Sequence, residues 1–242
     1  MIESLAGISV IYTYLLTNPV AGDGHVGYAF RLLRIRNYEG VRPQDLPTSQ
    51  ANPYDSVREG IGNVYYALAR IRRVQGDTDA ALAAFEVSLA VREPLPSLSA
   101  RKGVAATLHS LAGLLNAIGR DAEAKVAIER AISKKEAIYG TEPNEELSAS
   151  LHNLASILIK LGDLKGAETA INRSLDMKKV VFGTTHHISV AETALLAAWL
   201  LMEMRGKREA IPILQYAQSV FRDLAPANPQ LAQIDAILEQ LT

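Results

Sequence analysis

A step of 43 residues runs through this chain. Ala69, Ala112, Ala155 and Ala198 are successive copies of one position, and Ala81, Ala124, Ala167 and Ala210 are copies of another. A fixed spacing held over four copies means that each copy is one small structural unit that cannot bury its apolar face alone and must stack on its neighbours. The same step joins Phe85, Ile128, Ile171 and Leu214 as large apolar residues, and Ser88, Ala131, Ser174 and Ala217 as small ones. It also joins Tyr65, Leu108 and Leu151 to Ala194, where the fourth copy departs from the other three.

Inside each copy the apolar residues recur at intervals of three and four. Leu108, Leu111, Ala112 and Leu115 show it, as do Leu151, Leu154, Ala155 and Leu158, and this is the pattern of an amphipathic helix. Each copy then breaks at a polar turn and starts again. The breaks are Gly76-Asp77-Thr78-Asp79, Gly119-Arg120-Asp121, Gly162-Asp163 and Arg205-Gly206-Lys207. Glycine there supplies a left-handed helix end, and Asp or Thr can cap the next helix. Each copy is therefore expected to be a helical hairpin, with the alanines as the points where two antiparallel helices come close.

These residues resemble the tetratricopeptide repeat, whose pattern is W-x2-L-G-x2-Y followed by A-x3-F. In the third copy Leu151, Leu154, Ala155 and Leu158 fill the first four places, with Ala167 and Ile171 at the following two. The first copy offers Tyr65, Leu68, Ala69, Ala81 and Phe85. Departures are Arg72 where an aromatic is usual, Ala194 and Ala197 in the fourth copy, and Arg205 in place of the turn glycine. The extra length of the unit recurs as Ala137-Ile138-Tyr139-Gly140-Thr141 and Val180-Val181-Phe182-Gly183-Thr184, which resembles the long-repeat, kinesin-light-chain-like subclass. In that subclass a His-Pro precedes the next helix; Thr185-His186-His187 and Glu142-Pro143 stand in its place here. The resemblance implies an all-α fold, a right-handed α-solenoid of antiparallel helix pairs with a capping helix at its C-terminal end.

On this reading 1–40 is an N-terminal helix pair and a degenerate repeat, 41–55 a proline-containing connection, 56–224 four hairpins, and 225–242 the cap, with Leu231, Ile234, Ile237, Leu238 and Leu241 on one face. The apolar stretch Ser4 to Leu16 is read as a buried helix rather than a leader, because it follows Glu3 and carries Tyr12 and Tyr14. Lys and Arg number 25 against 26 Asp and Glu, a net charge of −1, which excludes a strongly basic nucleic-acid binder. Cysteine is absent, so there is no disulfide, thiolate metal site or cysteine nucleophile. No apolar run reaches the length of a membrane span, and the expected location is the cytoplasm.

No catalytic, cofactor-binding or metal-ligating residues are assigned. Nucleophile elbows, Walker loops, dinucleotide fingerprints and H-E-x-x-H are all missing, and the glycines Gly60 and Gly62 are read as helix-packing residues. His109 and His152 lie one step apart, but Asn116, Asn153 and Ser156 beside them are poor zinc ligands. His186 and His187 are assigned to helix capping and packing. By the resemblance, first-helix positions line a concave groove: Asn63, Tyr66, Arg70 and Arg73; His109, Gly113 and Asn116; His152, Ser156 and Ile159; Leu195, Trp199 and Met202. One part of this set is basic and polar, the other apolar, which suits a partner peptide with an acidic part and a bulky anchor. The Lys/Asn pattern by which some relatives clamp a C-terminal carboxylate is not at these positions. The expected function is thus a non-catalytic interaction scaffold or adaptor for a protein or peptide partner. The alternatives are a regulatory or sensory module of a larger signalling assembly and, further off, an enzyme with a site near His109 and His152. A homodimer through the C-terminal helices would use the apolar stretch Ala194 to Met202.

Overall fold

The computed structural model describes residues 55–241, and among them the regular structure is helical throughout. The helices are α1 (Asp55–Val74), α2 (Thr78–Arg92), α3 (Leu98–Ala117), α4 (Asp121–Tyr139), α5 (Glu145–Lys160), α6 (Leu164–Phe182), α7 (Ile188–Arg205), α8 (Lys207–Leu224) and α9 (Pro229–Leu241). The fold is an all-α repeat solenoid. The N-terminal helix pair and the proline-containing connection expected from the sequence lie outside the described residues. The chain divides into two compact units at Ile118 and Gly119.

In the first unit α1 packs on α2, and α3 packs on both. The core joins Ala69, Ala81, Ala84, Phe85 and Leu114, with Tyr65, Tyr66, Leu68 and Leu111 at its edge. In the second unit the hairpins α5–α6 and α7–α8 stack in sequence, with α4 packed on α5 and α9 on α8. One cluster there gathers Ala155, Leu158, Ala167, Ala170, Ile171, Leu196 and Leu200. A second gathers Ala198, Ala210, Leu214, Ala217, Phe221, Ile234 and Leu238, which places α9 on the apolar end of α8.

All eight alanines of the two registers are 0% exposed. With no side chain beyond Cβ to hold the helices apart, they set the close approach, and a larger residue there would cost about 1–3 kcal/mol in overpacking. Gly76, Gly119 and Gly162, one step apart, carry φ of 80°, 78° and 77°, the left-handed conformation that glycine adopts without strain. Asp77 and Asp163 then cap α2 and α6 by accepting from the amides of Ala80 and Gly166. The fourth turn differs. Helix α7 runs through Arg205, a single residue, Gly206 (φ 98°), makes the link, and α8 begins with no side-chain cap.

Candidate functional site

Asn63, Tyr66, Arg70 and Arg73 are spaced three, four and three apart on α1, so they share a face. Tyr66 is its centre. The ring is half-buried, tilted against Phe85 at 6.1 Å, and its hydroxyl shares a hydrogen bond of 3.1 Å with Ser110 on α3. The guanidinium of Arg70 lies 5.9 Å from the ring centroid, and so does that of Arg92. An electron-rich ring with two cations at this distance is held by cation–π attraction as well as by packing. Arg70 is half-buried and Arg73 exposed. Asn63 accepts a short hydrogen bond from Arg92, so it belongs to the packing between helices as well as to the surface. His109 and Asn116 on α3 are half-buried.

The sequence-predicted residues of the second unit are more apolar. Trp199 on α7 is half-buried and packs against both clusters of the unit, and Met202 against the one that includes α9. Ile159 borders the other cluster. His152 is half-buried and hydrogen-bonds through Nδ1 to Thr193 Oγ1 at 3.0 Å, which ties α5 to α7; Ser156 is half-buried. Leu195 corrects the expectation: it is 1% exposed and belongs to the core. Helix α7 is apolar through Ala194 to Met202, so periodicity alone cannot say which of its residues face inward.

Sequence reasoning missed a third register. Arg92, Lys135, Lys178 and Phe221 are one step apart, and all are buried, the three cations at 2%, 3% and 3% exposure. Their partners follow the same step: Thr107, Ser150 and Thr193. Lys135 Nζ donates to Ser150 Oγ at 2.9 Å and to the carbonyl of Glu146 at 2.7 Å. Lys178 Nζ donates to Thr193 Oγ1 at 2.7 Å and to the carbonyl of Ser189 at 2.9 Å. Burial pushes both ammonium groups down to about 8, against the opposing pull of Glu146 on Lys135 and of Glu192 and Glu145 on Lys178. Arg92 donates to Ser88 Oγ at 2.7 Å and Thr107 Oγ1 at 3.0 Å, and two glycines make room for it: a Cβ on Gly62 would come within 2.7 Å of its side chain and one on Gly103 within 2.9 Å. The signal that would have found this register is the one that found the alanines, applied to charged residues. Each cation stitches the second helix of one hairpin to the first helix of the next.

His187 takes the capping role assigned to it. Its Nδ1 accepts from the amide of Ser189 at 3.2 Å, and its ring stacks on Phe182 at 3.7 Å and 11°. His186 lies on the surface with Nε2 3.5 Å from the Asp223 carboxylate. No group of three or more His, Asp or Glu converges as a metal site among the described residues, and no helix among them is long and apolar enough to cross a membrane.

The tetratricopeptide repeat family matches at residues 104–145 and 147–188. Among solved structures, BtubC (BKLC) from P. vanneervenii is 14% identical, with a TM-score of 0.61 over 94% of this chain and 93% of that one. The kinesin light chain-like TPR repeats of Podosopora anserina, in a form with one substitution, are 17% identical, with a TM-score of 0.65 over 94% of this chain and 100% of that one. A second structure of those repeats is 19% identical, with a TM-score of 0.58 over 91% and 96%. No curated protein matches the chain.

Proposed function

We propose that this chain, which matches the tetratricopeptide repeat at residues 104–145 and 147–188 and shares the fold of kinesin light chain-like repeats, is a non-catalytic scaffold that holds a peptide segment of a partner protein against faces of its first helices. The observation that carries this reading is the face of α1. Arg70 is braced on the Tyr66 ring and Arg73 stands exposed one turn on, so two guanidinium groups lie on one helix face, ready for carboxylates. In the second unit Trp199 and Met202 keep part of their apolar surface outside the core, which suits a bulky side chain of a bound segment.

The test is a quantitative pull-down that compares the intact chain with Arg70→Glu, Arg73→Glu, His109→Ala, after circular dichroism has shown that both are folded. A partner held by the intact chain and lost from the variant is the expected result. Equal capture by the two would overturn the assignment of these residues.

A further inference from the structure

The fourth repeat departs from the others where its first helix meets the second helix of the repeat before it. Ala194 stands where the earlier repeats have Tyr65, Leu108 and Leu151, and Ala197 where they have Leu68, Leu111 and Leu154. Both alanines line an open cleft of about 400 Å³ between α6, α7 and α8, a volume within the usual range for binding pockets. Ile213 on α8 replaces the alanines 84, 127 and 170 of the earlier repeats and returns part of the missing bulk, but it borders the cleft without closing it.

The walls are apolar, with Leu175 and Tyr216 among them, and carry one cation, Lys179. The Tyr216 hydroxyl is turned away from ligand duty, since it donates a short hydrogen bond to the Thr185 carbonyl. Among the described residues the carboxylate that Lys179 meets is that of Asp176, 3.6 Å away and 78% exposed, a contact too loose and too wet to hold it. At about 100° per residue, Ala194 and Ala197 point to the side of α7 nearly opposite Trp199, so this cleft is distinct from the surface discussed above.

We propose that the cleft is a second docking site, which takes a leucine- or methionine-class side chain of a partner segment with an Asp or Glu beside it to meet Lys179. The space is what remains when two leucine-sized side chains are withdrawn from a repeat that elsewhere carries them, and the charge at its rim selects an anionic neighbour. The proposal rests on the reading of the chain as an interaction scaffold.

A random peptide library displayed on phage, panned on the full chain and in parallel on Ala194→Leu, Ala197→Leu, tests it. The variant gives the fourth repeat the side chains of the third, and circular dichroism checks that it folds. Peptides with Leu or Met next to Asp or Glu should emerge from the native chain. Made synthetically, they should bind it about tenfold or more tightly than either the refilled variant or Lys179→Glu, because the buried aliphatic group and its charge partner are lost. Arg70→Glu, Arg73→Glu should bind them as the native chain does. Should the refilled variant not fold, Lys179→Glu at its exposed position still decides the matter. No such peptides, or peptides that bind native and altered clefts equally, would overturn the proposal. Peptides sensitive to Arg70 and Arg73 alone would support the first site and overturn the second.

Discussion

The seam between α6 and α7 and the seam between α8 and α9 use the same step of the repeat, yet one is closed by an ammonium and the other by a phenyl ring. Lys178 reaches from α6 to the Thr193 hydroxyl on α7, whereas Phe221, one step on, is fully buried with Ile234 and Leu238 of α9. The difference lies in the neighbour. A hairpin that will be followed by another can rely on a hydroxyl at a fixed place on the next first helix. Helix α9 offers none: its residue at that step, Ala236, is exposed, and Ile234 and Leu238, two before and two after, are buried instead. The repeat thus ends by exchanging a directional polar link for a non-directional apolar one, which tolerates a helix out of register with the rest.

Exchanging the two closures gives the largest effect. Phe221→Lys would remove a phenyl ring from the core and leave an ammonium among apolar side chains with no hydroxyl facing it. A loss of about 4 kcal/mol or more is expected, the sum of a core truncation and an unsatisfied buried charge. Urea denaturation followed by circular dichroism measures it. A loss under about 1 kcal/mol would mean that α9 shifts to supply a partner and that the two seams are interchangeable.

The ammonium seams should also respond to pH in a way that the phenyl seam cannot. Lys135 and Lys178 are held at about 8 in the folded chain against an ordinary 10.5. Between those values the folded chain binds fewer protons than the unfolded one, so stability rises with pH across this window and the whole gain is lost as pH falls through about 8. Each lysine should add roughly 1–3 kcal/mol over the window. Lys178→Met, an apolar replacement of similar length, should cost under about 1 kcal/mol at pH 7 and flatten the slope above pH 8. Denaturation midpoints of both proteins at pH 7.5, 9 and 10.5 check this. Parallel pH curves would mean that Lys178 titrates normally and that water reaches it.

Much of the fold was legible because close helix packing leaves a trace in residue size. The two alanine registers fixed which positions touch, and the glycines at 76, 119 and 162 fixed three of the turns. Arg205 stands in the place of the turn glycine, but the chain moves the turn one residue on, to Gly206, by lengthening α7. The buried cations were illegible to a search for apolar and small residues, because a charged residue is normally assigned to the surface; burial here depends on hydroxyls that lie 15 residues away in sequence. Of the site, the polar face of α1 could be laid out from its spacing, since its polar and apolar residues separate cleanly. Helix α7 gives no such guidance, because it is apolar on every side through Ala194 to Met202, and Leu195 lies in the core where its spacing alone would also allow the groove. The departures at Ala194 and Ala197 were visible in the sequence, but only the packing of α6 and α8 shows that their missing volume stays open.

Comparing the first seam with the two lysine seams is a subtler matter, because all three are polar and all three use a hydroxyl. Here the cation is Arg92, whose planar guanidinium is broader than an ammonium and reaches Asn63, Ser88 and Thr107 together. The backbone beside it has been cleared: Gly62 and Gly103 flank the side chain, where the later repeats carry Ala105 and Ser148 at the step of the first and Glu146 and Ser189 at the step of the second. Both glycines sit inside helices, where alanine is intrinsically better by about 1 kcal/mol, so an alanine that only filled space would stabilise the chain. Gly62→Ala and Gly103→Ala are instead expected to destabilise it by about 1–2 kcal/mol each, because the new Cβ meets a buried side chain with nowhere to go. In the Arg92→Lys background, with the narrower cation of the later seams, the same Gly62→Ala should turn neutral or stabilising, and the coupling read from the four-protein cycle should be about 1–2 kcal/mol. Zero coupling would mean that Arg92 slides aside at no cost, and that glycine and guanidinium at this seam are unrelated.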